Sequence, residues 1–494
     1  MAECTTILTS LLLIASSLVL CIVYYIQNKY SYWERRGVPH LKPDSFFFGN
    51  TKDYILRRVP GPLDLQRIYN ELSGHKFGGY FQFMRPVLII RDATLIRNIL
   101  VTNFSHFQNR SRTSVVDERM DPLSSHLLNL TGQRWKNVRY KLTPTFSSSK
   151  IKAMVDLMQV CISQLADHLS KVTDGDTEDS GFQDVQELMS KVTTDVIGAC
   201  AFGLNFNAIQ NEDSEIQRML RLSFTPSKRT HLRALLRVIA PQLINTLRVK
   251  SLPLEVEEFF ISVLKETVEH RELKAQKGKD FLQLLIDIQA EEMKEEQNNG
   301  TCKDILFTDS VVASNAFLFL IAGYETTATT LSTCLYELAL NPDVGAKVRE
   351  EVELVKQAHG GNLDYDALKK LTYMDAVVAE TLRMHPPAGL IFRRCNKAFP
   401  IPDTSVVVEE GTPVAIPVYG LHYDPKYFPE PDKFKPERFN EDNIGKIVPG
   451  SYLPFGDGPR GCIGVRFAKY EIKSILSYLV SSYTIQACPK TAVL

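Results

Sequence analysis

The sequence has no C-x-x-C pair, although it carries 9 cysteines, an odd number scattered from Cys4 to Cys488. A disulfide scaffold and a structural zinc site are therefore not supported, and the expected surroundings are reducing. Net charge is missing too: Lys plus Arg and Asp plus Glu stand at 57 each. That balance argues against nucleic acid as a general partner. No internal repeat is visible, and no linker divides the 494 residues. The most polar stretches, 171–181 and 291–304, are short enough to be surface loops between helices rather than hinges between domains. With 44% hydrophobic residues the chain has the means to bury a large core.

What it does have is one long uncharged run near its start. Residues 7–26, ILTSLLLIASSLVLCIVYYI, are long enough at about 1.5 Å per residue to cross a hydrocarbon core of about 30 Å. A cleaved signal peptide would want a basic leader and a shorter apolar stretch, whereas Glu3 precedes this one. The basic residues follow it, at Lys29, Arg35 and Arg36, which places everything from Asn28 onward on the cytoplasmic side. Tyr24, Tyr25, Tyr30, Tyr32 and Trp33 fit an interfacial aromatic belt. N-x-S/T sequons at Asn103, Asn109, Asn129 and Asn299 would suit a lumenal body, but such short motifs arise by chance and the charge asymmetry is the stronger signal. The expected organisation is a membrane anchor over 1–28 and a single body over 29–494, joined by a stiff exit at VPHLKP (38–43).

Within the body, YFQF (80–83) and VLIIRD (87–92) predict a hairpin, and 400–408 and 412–418 predict later strands. Helical periodicity covers 134–142, 150–170, 184–200, 255–275 and 308–340. The fold class is thus mainly α with a small β-sheet assembled from strands far apart in sequence.

Residues 455–464, FGDGPRGCIG, set Gly456, Gly458 and Gly461 at the spacing of a dinucleotide-phosphate loop, with Cys462 directly behind. The phosphate reading needs a strand before the loop and an acid about 20 positions after it. Instead Pro454 precedes it, and no Asp or Glu follows Glu471. A helix does follow, marked by Val465, Ala468, Ile472, Ile475, Leu476 and Leu479. Cys462 then stands at a helix N-terminus, where free N–H groups and the helix dipole are expected to lower its pKa and favour a thiolate, either metal ligand or nucleophile. An inert buried cysteine beside a glycine-rich turn is the plainer alternative.

Three other patterns carry chemistry. In the helix 308–340, with Thr308 as N-cap and Pro342 beyond its end, Gly323, Thr326, Thr327, Thr329 and Thr330 interrupt an apolar stretch beside Glu325. This is either a solvated turn or a bend at a ligand, with Gly323 leaving room and a hydroxyl beside an acid giving a proton route. Glu380 and Arg383 share a helical face, and Arg438 in FKPERF either completes a charged network with them or leaves them as a surface pair. RWKNVRYK (134–141) puts Trp135 and Arg139 one turn apart among Arg134, Lys136 and Lys141. Its basic face is either merely solvated, or Trp135 and Arg139 reach an anionic cofactor while the other cations meet an acidic partner.

Taken together these residues resemble cytochrome P-450, the haem-thiolate monooxygenases of microsomal type, and most of all their insect detoxifying branch. The signature F-x-x-G-x-R-x-C-x-G is met by Phe455, Gly458, Arg460, Cys462 and Gly464, and A-G-x-E-T-T by Ala322, Gly323, Glu325, Thr326 and Thr327. The anchor, the W-x-x-x-R helix, the E-x-x-R pair and the P-E-R-F element appear in the family's order, so the likeness covers essentially the whole chain. It implies a prism-shaped, mainly α fold with an N-terminal transmembrane helix, burying haem b between a long kinked helix and the cysteine helix. It implies Cys462 as axial ligand, Arg460, Trp135, Arg139 and Arg393 on the haem propionates, and Phe455 shielding the sulfur. Glu325 and Thr326 would deliver protons at the oxygen site, and Glu380, Arg383 and Arg438 would be structural.

The resemblance further implies O2 and a small lipophilic substrate, with electrons from NADPH through a cytochrome reductase docked near Arg134, Lys136 and Lys141. Cytochrome b5 is a further candidate donor, and the place is the endoplasmic reticulum membrane, facing the cytoplasm. Two rival functions stand beside it: a haem-thiolate isomerase or dehydratase, and a haem-binding membrane protein without turnover. One departure concerns the end of the chain. Family members carry a further β-hairpin after the cysteine helix, whereas here only the tail ending CPKTAVL follows, so that wall of the substrate pocket is expected to be absent or altered. Pocket candidates are 112–126, Phe317, Leu320 and 388–392.

Overall fold

The computed structural model describes residues 2–110, 118–173, 182–225, 227–240, 242–273, 278, 280–299 and 306–492. Helices dominate, among them Gly132–Leu142, Ser148–Thr173, Val185–Ile197, Leu254–Leu273, Asp309–Leu340, Thr372–Met384 and Val465–Ser482. The predicted hairpin forms from β1 (Phe77–Gln82) and β2 (Arg85–Ile90). The later strands are β3 (Ile391–Arg394), β4 (Phe399–Pro400), β5 (Val407–Val408) and β6 (Pro413–Ile416). One sheet runs β1-β2-β6-β3, and its β2 and β6 pair in parallel with Leu88 opposite Val414, while β4 and β5 pair separately. Leu88 and Ile89, and Val414 and Ala415, point to opposite faces of the sheet and are all fully buried, so both faces are covered where strands more than 300 residues apart in sequence pair.

The Asp309–Leu340 helix is the centre of the helical core. Thr308 caps it, its side chain accepting from the Val311 N–H. The helix is unbroken through Gly323 and the threonines, whose hydroxyls fold back onto their own helix: Thr326 donates to the Ala322 carbonyl at 2.6 Å and Thr330 to that of Thr326 at 2.8 Å. The room that Gly323 leaves is largely taken by a neighbouring helix. A Cβ at 323 would lie 2.6 Å from Ile197, so glycine lets the Val185–Ile197 helix pack against this backbone.

The first helix, Ala2–Tyr30, exposes Leu11, Leu12, Leu13, Leu18 and Leu20, and it is long and apolar enough to cross a membrane. Its end is not a loose exit. Trp33 is buried, and its Nε1 donates to the Tyr80 carbonyl at 3.2 Å, so it belongs to the core of the sheet and not to an aromatic belt. Tyr30 donates to the Phe46 carbonyl at 2.9 Å and Tyr32 to Glu409 at 2.9 Å, which leaves Tyr24 and Tyr25 as the exposed aromatics of the expected set. The segment 38–43 continues the sheet: Gly79 N–H donates to the Pro39 carbonyl at 2.7 Å and Leu41 N–H to that of Gly79 at 3.0 Å.

Candidate active site

The turn before the cysteine helix uses glycine for packing. Gly458 has φ of +69°, and a Cβ there would fall 1.9 Å from the Leu100 carbonyl oxygen, so no other residue lets the loop press onto that segment. Within the loop, Cys462 N–H donates to the Phe455 carbonyl at 2.8 Å, and the Gly464 amide donates to the Cys462 sulfur. Cys462 opens onto a cavity of about 540 Å³ whose walls are mostly apolar. Burial pushes its thiol up; the Gly464 amide and the charges of Arg139 and Arg110 oppose this without overturning it. The net lowering expected of a helix terminus does not follow here, because desolvation outweighs the Gly464 amide and the two arginine charges. A metal cation at the sulfur reverses that balance.

Arg110, Arg139, Arg393 and Arg460 line this same cavity, and no Asp or Glu does so among the described residues. Burial is the main cause that pushes all four guanidiniums down, Arg460 to about 8 and Arg393 to about 9, and they also repel one another. Arg393 Nε is buried without a hydrogen-bond partner. Arg460 is fixed in place, donating to the carbonyls of Gln108 at 2.8 Å and Leu130 at 2.6 Å, and Arg110 donates to the Arg460 carbonyl at 2.8 Å. Four converging cations with an orphaned donor fit a ligand carrying two carboxylates, as haem does. Arg110 escaped the sequence reading because it belongs to no motif; only the fold brings it to the other three.

The remaining expectations fall out unevenly. Trp135, Phe455 and Thr326 line the cavity. Glu325 does not; it is half-buried one position away, and burial pushes its carboxyl up. Leu390, Ile391 and Phe392 line the cavity as expected of 388–392, but Phe317 and Leu320 are buried in the helical core, and Leu318 and Phe319 take their place. Residues 112–117 lie outside the described residues; 118–126 do not reach the cavity, whereas Leu127 and Leu128 do. Phe319 stacks on Phe281 with centroids 3.9 Å apart and on Phe146 at 5.5 Å, making an aromatic wall. Among the described residues none after Ile472 lines the cavity.

Beneath the loop the charged network forms. Glu380 accepts from Arg383 at 2.8 and 2.9 Å, from Arg438 at 3.2 Å and from the Lys435 N–H at 2.8 Å, with Glu380 and Arg383 fully buried. Outside, the basic helix is partly neutralised: Arg134 pairs with Glu118 at 2.5 Å and Lys141 with Glu292, while Lys136 is exposed.

A mainly α body that presents a free cysteine sulfur and four arginines to one apolar cavity is built as a haem-thiolate oxidoreductase. The sequence profile of the Cytochrome P-450 family matches residues 39–494. Probable cytochrome P-450 6a14 of Drosophila melanogaster is 37% identical over 96% of this chain and 93% of its own length. Cytochrome P-450 6j1 of Blattella germanica is 33% identical over 100% of this chain and 95% of its own, and cytochrome P-450 9e2 of the same species is 34% identical over 97% and 93%. The chain belongs to the cytochrome P-450 family: it is a monooxygenase that carries haem b on a cysteine thiolate.

Proposed function

We propose that this monooxygenase inserts one oxygen atom from O2 into a small lipophilic substrate, with Cys462 as the thiolate ligand of its haem. The observation that carries the assignment is the convergence of Cys462 with Arg110, Arg139, Arg393 and Arg460 on one cavity without acids. Haem bound through a thiolate supplies the activation and cleavage of dioxygen. The four arginines and Trp135 hold the anionic edge of the group, and Phe455 with the Gly464 amide screens and polarises the sulfur. Thr326 holds a hydroxyl at the cavity wall, currently donated to Ala322, and Glu325, raised by burial, supplies protons to it from the solvent side. The apolar walls, including the Phe146, Phe281 and Phe319 stack, favour a lipophilic substrate and keep water out.

Residues 1–28 anchor the chain in the endoplasmic reticulum membrane and 29–494 form one cytoplasmic body. NADPH supplies electrons through a membrane-bound flavoprotein reductase, with cytochrome b5 as an additional donor, at the face around Lys136. The test is reductase-coupled turnover with a panel of lipophilic compounds. NADPH oxidation matched by hydroxylated product is expected. Peroxide rearrangement without NADPH would mark an isomerase instead, and haem binding with no turnover of any compound a sequestering protein.

A further inference from the structure

His422 is fully buried between the Glu380–Arg383 pair and the cysteine loop. Leu453 N–H donates to its Nε2 at 2.9 Å, so that nitrogen carries no proton, and Nδ1–H donates to the Arg383 carbonyl at 3.0 Å. Arg383 Nη1 returns a bond to the His422 carbonyl, also 3.0 Å. Tyr452 stacks on the ring, centroids 5.3 Å apart, and its own hydroxyl donates to the Ala379 carbonyl at 2.8 Å. A protonated ring would set two N–H donors against each other at Nε2. Burial, aided by the Arg383 charge, accordingly pushes His422 down to about 3. The ring is held neutral and in one tautomer.

From Leu453 the bonds run on toward the sulfur. Gly456 N–H donates to the Leu453 carbonyl at 3.0 Å, and Cys462 N–H to that of Phe455 at 2.8 Å. We infer that His422 is a positioning residue for the haem ligand: its Nε2 fixes the segment Leu453–Phe455, and Phe455 fixes the backbone of Cys462. This rests on Cys462 being the ligand, which the carbon monoxide spectra of the unaltered protein and of Cys462→Ala test separately.

Two substitutions part the two bonds of the ring. Gln places its amide oxygen near the Nε2 position and keeps an acceptor for Leu453, whereas Asn places its amide nitrogen near Nδ1 and keeps only the donor to Arg383. Hydrogen exchange of the peptide spanning Leu453 and the midpoint reduction potential are measured on full-length, haem-loaded protein. His422→Asn should speed exchange there by about tenfold or more, because the buried amide loses its acceptor. Its potential should fall, since N–H groups lose their aim at the sulfur. His422→Gln should return both values toward those of the unaltered protein. Equal behaviour of the two variants, whether native, equally perturbed or equally unable to load haem, would reduce His422 to a packing residue and overturn the inference. So would a native-like Asn variant beside a perturbed Gln variant.

Discussion

The Arg460 guanidinium lies over the ring of Trp135, 4.2 Å from its centroid, and joins the cysteine loop to the basic helix Gly132–Leu142. The contact orders one wall of the arginine cluster, and it places a flat ring where a desolvated cation gains most. Both side chains line the cavity, so the pair belongs to the proposed haem site as well as to the packing.

Arg110 is the member of that cluster with no motif behind it. Arg110→Ala should release haem to a scavenging apoprotein about tenfold faster than the unaltered protein, the loss of roughly one charge-assisted hydrogen bond. An unchanged release rate would remove Arg110 from the site.

Cys462→Ala should abolish the strongly red-shifted Soret band that reduced protein shows with carbon monoxide when a thiolate is the ligand. Cys200 is another cysteine on the cavity wall. A band that survives in Cys462→Ala and vanishes in a Cys200 double variant would move the ligand there.

Thr326→Ala should leave that spectrum nearly intact, since the hydroxyl bonds only to its own helix. Product per NADPH should fall while hydrogen peroxide rises, because proton supply and not binding is impaired. Undiminished coupling would show that protons arrive without Thr326.

Deletion of residues 1–28 should move the protein substantially into the soluble fraction with haem retained, because the clasp around Trp33 is spared. Trp33→Ala in the same background should cost roughly 3–5 kcal/mol of stability, as for other buried tryptophans. A truncated chain that still resists carbonate and salt extraction would contradict the single-anchor organisation.

His422 also gives stability a pH dependence. In an unfolded chain histidine takes up its proton near pH 6.5, whereas folded His422 does so at about 3. Between those values the unfolded chain binds more protons, so acidification destabilises the fold by up to about 1.4 kcal/mol per pH unit from this group. The stability gap between the unaltered protein and His422→Gln, read from unfolding midpoints, should narrow from pH 6.5 downward. A constant gap would show that the ring is not held neutral.

Strands and helices were legible where period and punctuation agree. YFQF and VLIIRD are β-rich runs three residues apart, and they fall in β1 and β2, although Pro86, which separates them in sequence, lies within β2 opposite Phe81 and the turn is Phe83–Met84. The face of the long helix was not legible. It is apolar almost all round, so periodicity does not say which side meets the cavity, and the reading fell one position away at Phe317 instead of Leu318 or Phe319. Gly323 does line the cavity, but a side chain there would meet Ile197, a neighbour that only the fold supplies. Trp33 looked like a membrane aromatic because its distance from the apolar run suits one; its partner Tyr80 lies 47 residues on. The cysteine loop was found by its spacing, whereas Arg110 and His422 act through backbone carbonyls and amides that leave no mark in sequence.

The clasp of Trp33, Pro39, Leu41 and Gly79 has a kinetic meaning. A body on a floppy tether tumbles above a bilayer and samples every tilt before it meets a partner moving in the same plane. Here the stalk and the β1–β2 hairpin are bonded together, so the body turns only with the stalk. With the proposed anchor in a bilayer, the search for the proposed electron donor would reduce mainly to rotation about the membrane normal, and flexible residues inserted between Tyr30 and Trp33 would slow electron delivery without altering the cavity.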